Sequence, residues 1–378
     1  MPIELCYELN TISADEWNRL GDADNPFVRH EFLCALEQYN CLGEEHGWLP
    51  HHLLHRNETG ELTGAIPMYL KDNSYGEFVF DWGWADAYHR NGIEYYPKLV
   101  SSIPYTPAQG PRILVRADQD YPTIASALID FSVNLANERD ISSLHYLFTV
   151  DRDTRLLNEK DFALRMGVQF HWHNQDYTGF DDYLATFTAK KRKNIKQERR
   201  KVRDAGVDIE VHHGDEISDA LWQTIHHFYK ITFYKKSGYP SLSLDFFQSI
   251  ARSMPRSLVV FMAKYQGEYV AASICFRGET TLYGRHWGCN ERFDSLHFEL
   301  CYYQGLEYAI KHGLKHFEPG AQGEHKVSRG FKPTRTWSAH WIAHPQFDQV
   351  IRDHLAHEQQ AMENYLQSLN EHLPFKSR

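Results

Sequence analysis

The chain has 378 residues, 42% of them hydrophobic and 14% aromatic. That length and composition favour two globular domains over one and exclude a disordered chain. A net charge of -10 excludes a uniformly basic nucleic-acid binder, so any polyanion contact must come from a local patch.

Residues 1–17 carry Glu4, Glu8, Asp15 and Glu16 and lack an apolar h-region, so no signal peptide is read there. No run of about 18 apolar residues follows, and no membrane span is expected. The cysteines, Cys6, Cys34, Cys41, Cys275, Cys289 and Cys301, form no CxxC pair. A cytoplasmic protein with reduced thiols and no metal site is therefore expected.

In chain order, residues 3–9 read as a strand. Ser13 opens a short helix through a Ser-x-x-Glu box with Glu16, and a second helix covers 30–39. Strands are expected over 51–56, 64–71 and 77–82. A long helix over 121–138 follows from the spacing of Ile124, Leu128, Phe131 and Leu135, and a buried strand from 143–150. The second half repeats the order, with helices over 180–205 and 244–254 and strands over 258–265, 269–277 and 281–287. A helix over 296–312 stops at Gly313. A strand over 315–318 and a final polar helix complete it. This repeat of element order predicts two mixed α/β domains, 1–174 and 175–378. Each is an antiparallel meander closed by a parallel crossover.

In the second crossover, strands 281–287 and 315–318 should bring their carboxyl ends to one edge, with the N-terminus of the helix from Leu296 beside them. Ligands favour such an edge. Two loops converge there. One follows Arg285-His286-Trp287-Gly288-Cys289-Asn290, and the other is Gly320-Ala321-Gln322-Gly323-Glu324-His325-Lys326. Glu324, His325, His297 and Glu299 are the candidate acid–base groups for taking a proton from an amine nucleophile. Arg285, Lys326, Arg329 and Lys332 are candidates for holding an anionic part of the donor or acceptor. The ordinary alternative makes Gly320 and Gly323 turn residues and His297 a helix cap.

Two further segments stand out. From Lys190 to Arg203 the chain carries Lys190, Lys191, Arg192, Lys193, Lys196, Arg199, Arg200, Lys201 and Arg203 against a single Glu198 before Asp204. Lys190, Arg192, Lys193 and Lys196 are read either as a polyanion-binding stripe or as a solvated helix face. The segment 75–88 mixes aromatics with acids. Asp81, Trp84 and Asp86 either bind an acceptor ammonium or serve as core packing and a helix cap. His171 and His173 share one strand face but have no third metal ligand nearby.

Several of these blocks resemble one family. They are Asn25-Pro26-Phe27-Val28-Arg29-His30-Glu31-Phe32, Phe80 to Tyr88, Tyr283 to Cys289, His297 to Gln304, and Gly320 to Lys326. The family is the bacterial peptidoglycan biosynthesis/recognition proteins, Fem-like N-acyltransferases of the GNAT-like acyl-CoA N-acyltransferase superfamily. The resemblance implies two tandem GNAT-like domains and kinship with enzymes that move an amino acid from aminoacyl-tRNA to the amine of a peptidoglycan precursor. The helix with Lys190, Arg192, Asn194, Ile195 and Lys196 is similar to one opening their second domain. In GNAT proteins a Gln/Arg-x-x-Gly-x-Gly/Ala loop holds the CoA pyrophosphate. Residues 285–290 match it in part, with Asn290 in place of the last small residue.

The expectation is an acyl- or aminoacyltransferase acting on an amine acceptor such as a cell-wall precursor. No cofactor is tightly bound, and the donor is an acyl-CoA or an aminoacyl-tRNA, with tRNA as a partner in the second case. The alternatives are a non-catalytic protein recognising cell-wall fragments and an acetyl-CoA-dependent N-acetyltransferase.

Overall fold

The computed structural model describes residues 3–21, 24–235, 238–290, 293–321 and 323–376. Gln322 of the glycine loop lies outside them. Two compact units divide the chain: 1–168 with 335–365, and 169–334 with 366–378.

The first unit contains strands β1 (Ile3–Cys6), β2 (Leu49–Pro50), β3 (His52–Arg56), β4 (Leu62–Ile66), β5 (Tyr69–Lys71), β6 (Lys98–Ser101), β7 (Leu114–Val115), β8 (Ser143–Thr149) and the opening residues of β9 (Ala163–His173). One antiparallel sheet has the order β1-β3-β4-β7. In the second, β2 and β5 pair antiparallel, as do β5 and β6, while β6 and β8 run parallel. The strand expected over 64–71 is split because Pro67 has no N–H for a ladder. The helix Tyr121–Glu138 forms as the spacing predicts. Asp120 caps it by accepting from the Thr123 amide at 3.2 Å. Ile124, Leu128, Ile129 and Leu135 enter a core with Leu99 and Leu144, and each buried side chain contributes about 1.5–3 kcal/mol.

The strand expected over 77–82 does not form. These residues are a loop that enters the helix Trp82–Arg90.

The second unit is built on β10 (Val207–His213), β11 (Leu258–Tyr265), β12 (Glu268–Arg277), β13 (Thr281–Cys289) and β14 (His316–Glu318). The first four are an antiparallel meander, and β13 and β14 are parallel. β14 also pairs with the end of β9, His316 opposite His173. The helix expected over 180–205 is two helices, Phe180–Ala185 and Ala189–Asp204. The break is held by the chain's last segment: the Thr188 amide donates to the Pro374 carbonyl, and the Lys376 amide to the Thr186 carbonyl. The second unit thus has the meander-and-crossover order of a GNAT-like domain, and the first has the same parallel closure, β6 on β8, with its antiparallel strands divided between two sheets.

The expected boundary at 174/175 and the assignment of the whole tail to the second domain differ from this division. β15 (Lys332–Ile342) pairs antiparallel with β8, Trp337 opposite Thr149 through Ile342 opposite Ser143. That pairing returns 335–365 to the first unit. The polar helix expected at the end is Pro345–Glu371. Among the described residues no helix is long and apolar enough to cross a membrane.

One glycine fixes the packing of β13. A Cβ at Gly288 would sit 1.7 Å from the carbonyl oxygen of Phe228 on the helix Asp219–Tyr234. That neighbour is backbone and cannot rotate away. Gly288→Ala is expected to lower stability by about 3 kcal/mol, read as a fall in the urea midpoint at unchanged m-value.

Candidate active site

The parallel pair β13–β14 delivers its carboxyl ends to one edge, as the crossover requires. Behind it the helix from Leu296 changes form. Leu296–Phe298 is α-helical, Glu299–Tyr303 is a π-turn, and Gln304–Lys311 is α-helical again. Such an inserted turn re-aims successive side chains. Tyr302 meets His325, hydroxyl to Nε2 at 2.8 Å. Tyr303 instead donates to Glu198 of the helix Ala189–Asp204.

His325 sits on a turn, 324–329, whose entry at Gly323 has φ of 115°. A Cβ at Gly323 would lie 2.5 Å from the imidazole, so only glycine lets the ring fold back here. Around it, His297 lies edge-on to Trp287, Tyr302 and His325, with centroids 5.3, 5.5 and 6.1 Å apart. Burial, then Arg329 and Lys326, pull the His325 pKa below the ordinary 6.5. Its imidazole is therefore neutral and basic at neutral pH.

The other residues singled out in the sequence have more varied places. Lys326 is 2% exposed and its ammonium donates to the Gly320 carbonyl at 2.7 Å, so it clips the loop shut. Burial lowers its pKa to about 7, Cys301 opposing and Arg285 assisting. Arg285 is half-buried within β13, and burial brings its pKa down to about 10 against the pull of Glu318. Glu324 is exposed on the same turn as His325.

Three of the candidates are engaged within the fold. Glu299 is buried and held by Arg199 at 2.9 Å and Gln304 at 2.8 Å, so it anchors the helix. Arg329 is also buried. It bonds Glu198 at 2.9 Å and the His325 carbonyl at 2.8 Å, and it covers the Phe298 ring at 3.4 Å, which makes it a brace under His325. Lys332 begins β15 with its ammonium 5.8 Å from the Phe375 ring. Residues 285–289 are strand, and the amide of Asn290 donates to Val270. The partial match to a pyrophosphate loop therefore falls on backbone committed to pairing with β12, and Gly288 serves helix packing.

The basic helix keeps only part of its charge. Arg199 is taken by Glu299 and Glu307, Lys201 by Asp294, and Lys196 by Asp181 at 3.2 Å. Among the described residues, Lys190, Arg192 and Lys193 have no carboxylate partner, and Lys190 and Lys193 are exposed. Ile195 and Val202 seat the helix.

In the first unit, Asp81 is buried, Trp84 packs on His340 with centroids 5.0 Å apart, and Asp86 is exposed and paired with Arg90 at 2.9 Å. Asp86 stands apart, while Trp84 packs on His340 and His145, which belong to the surroundings of Asp81. Asp81 belongs to a buried polar cluster that sequence reasoning missed. Lys98 donates to Ser74 at 2.8 Å, to Glu77 at 2.9 Å and to Asp81. Tyr95 donates to Asp81 at 2.6 Å and contacts His145, whose Nδ1 meets that of His340 at 2.6 Å. Lys71 lies 3.8 Å from Glu77 and 3.6 Å above the Trp48 ring. Burial raises Asp81, but Lys98 and then His145 outweigh it and hold the carboxyl at about 2. Burial lifts Glu77 to about 7 and lowers Lys71 to about 7. No single residue marked this cluster, whose members come from β5, β6, β8, β15, the loop before Trp82 and the segment between Arg90 and Lys98. Among the described residues, no group of three His, Cys, Asp or Glu is placed to hold a metal ion.

Residues 8–377 match the FemAB-like family, described as peptidoglycan biosynthesis/recognition. No curated protein matches. Among solved structures, FemX aligns with 93% of this chain and 100% of its own length at 11% identity and a TM-score of 0.54. L-PGS from Bacillus licheniformis aligns with 88% of this chain and 98% of its own at 13% identity and a TM-score of 0.50. A conserved protein of unknown function from Bacteroides thetaiotaomicron covers 90% and 99% at 12% identity and a TM-score of 0.50. At these identities the likeness is one of fold.

Proposed function

Because this chain belongs to the FemAB-like family of peptidoglycan biosynthesis/recognition proteins, we propose that it transfers an acyl or aminoacyl group to the amine of a cell-wall precursor, with His325 as the base. The observation that carries this is the His325–Tyr302 pair at the carboxyl edge of β13 and β14. In the tautomer with hydrogen on Nε2, that N–H donates to the tyrosine hydroxyl oxygen and Nδ1 keeps its lone pair. The acceptor ammonium gives a proton to Nδ1, and the free amine attacks the donor carbonyl. The C–N bond forms as the ester or thioester C–O or C–S bond breaks; the leaving oxygen or sulfur takes the proton held on His325, and the nitrogen, cationic after attack, loses its second proton to solvent. His297, against the same two rings, flanks the base in this reading.

The uncompensated Lys190, Arg192 and Lys193 favour a donor carried on tRNA, because cations clustered in the first turn of one helix, Lys190 and Lys193 on the same face, suit a phosphate backbone. The experiment is a transfer assay on the purified protein with aminoacyl-tRNA or acyl-CoA and an amine-bearing muropeptide, read by mass spectrometry. Product from neither donor would leave recognition without catalysis as the reading. Reversing Lys190, Lys193 and Lys196 to Glu is expected to weaken tRNA binding at least ~10-fold and to flatten its salt dependence. Unchanged binding in a filter assay removes the helix from the donor site.

A further inference from the structure

The loop that leads into the helix Trp82–Arg90 is built inside out. Among residues 74–83 the only carboxylates, Glu77 and Asp81, are 2% and 3% exposed, while Tyr75, Phe78, Phe80 and Trp82 are 72%, 39%, 43% and 52% exposed. These four are among nine large apolar side chains exposed in the described residues, so the exposure is concentrated in one place. Soluble surfaces scatter such groups singly, and a contiguous cluster marks an interaction surface.

The arrangement is held rigidly. Lys98 grips Ser74 and Glu77 from below at 2.8 and 2.9 Å and contacts Asp81 as well. The Tyr75 carbonyl accepts from Lys71 at 3.1 Å and from the Trp48 indole at 3.2 Å, and the Phe80 carbonyl accepts from Arg165 at 2.8 Å. Phe78 has a φ of 63°, a backbone region costly for an aromatic residue. The fold keeps that strain and turns the ring outward. On the surface, Trp82 lies 4.7 Å from Phe80 and 6.5 Å from Tyr75, centroid to centroid.

We propose that this loop is a membrane-interface anchor, which seats its four aromatic rings at the headgroup–acyl boundary of a bilayer. Tyr and Trp favour that boundary because each joins an apolar body to one polar atom. The charge pattern separates this partner from a soluble glycan. A sugar site presents charged or amide groups on its aromatic platform to bond hydroxyls; here both carboxylates of 74–83 are turned inward and occupied by Lys98, and the adjoining Asn73 is spent on Asp72 and the Tyr75 amide, at 2.7 and 2.9 Å. The outer face of 74–83 carries no formal charge, which lets it enter a low-dielectric layer despite the chain's net charge of -10.

The test is flotation of the full chain with phosphatidylcholine vesicles and with phosphatidylcholine/phosphatidylglycerol vesicles, at low and high salt. Wild type is expected to float with both, with little change on adding salt. The double variant Phe80→Ser/Trp82→Ser is expected to bind at least ~10-fold more weakly, with an unchanged circular dichroism spectrum. Tyr239→Ser, which removes a ring 71% exposed in the second unit, should bind as wild type does. Four results overturn the anchor: no flotation with either vesicle, flotation only with anionic vesicles and abolished by salt, a double variant that floats normally, or a homodimer in sedimentation that the double variant dissociates. Retention on insoluble glycan without flotation, lost in the double variant, would assign the rings to a sugar instead.

Discussion

Lys98→Met is expected to lower the unfolding free energy by about 3–5 kcal/mol at neutral pH, the usual consequence of leaving buried charges without their partner. Lys98 is fully buried and faces both Glu77 and Asp81. Methionine fills the same volume, so the loss reports charge and not a cavity. The pH dependence gives a second reading. In wild type Asp81 has a folded pKa of about 2, below its unfolded value near 3.9. The unfolded chain therefore binds more protons between these values, and the stability Asp81 contributes is present above pH ~4 and lost as pH falls toward ~2. Glu77 titrates at about 7 even in wild type; without Lys98, burial dominates at Asp81 too, and both carboxyls titrate above their unfolded values. The folded variant then binds more protons than the unfolded chain, so its deficit grows as pH rises from ~4 toward neutrality. Urea titrations of both proteins at pH 5 and pH 7.5 check this, and equal deficits at the two pH values would refute the charge account.

The second large effect is on turnover. His325→Ala is expected to reduce kcat by about 10²-fold or more, the range for removing a positioned base, while substrate KM changes little. In wild type the acid limb of the kcat/KM profile should fall below pH 6.5, because burial together with Arg329 and Lys326 depresses the His325 pKa. Tyr302→Phe keeps the ring and removes only the hydroxyl, so it should cost less than the alanine variant. Glu324→Gln discriminates between the neighbours. A loss of kcat there, with His325→Ala fully active, would move the base to Glu324.

Where side chains alternate or recur on the scale of one element, the structure was readable in the sequence. The helix 121–138 and the strands 258–265 and 281–287 come from apolar spacing alone, and the convergence of His297 with the 320–326 loop follows from the parallel crossover. The strand β15 escaped notice because it points Ser338 and His340 into the interior, where they bond one another at 2.9 Å. A polar face turned inward defeats an apolar pattern. The loop 77–82 misled in the opposite sense: its alternation is real, but the acids are inside and the rings outside. Glu299 and Arg329 were read as site residues because their partners, Arg199 and Glu198, lie 100 and 131 positions away. Ion pairing over such separations leaves no local trace.

The return of 335–365 to the first unit has a consequence for how the protein is made. A growing chain that has released 1–168 cannot complete that unit, since the strand that covers one side of β8 is encoded after the whole segment 169–334. At ribosomal speeds this segment takes roughly 10–30 s to synthesise. During that wait the β8 edge is open to wrong partners. The first unit thus stays unfinished until 335–365 has emerged, and the second until 366–378 follows it; the β8 edge gives a nascent-chain chaperone its longest opportunity.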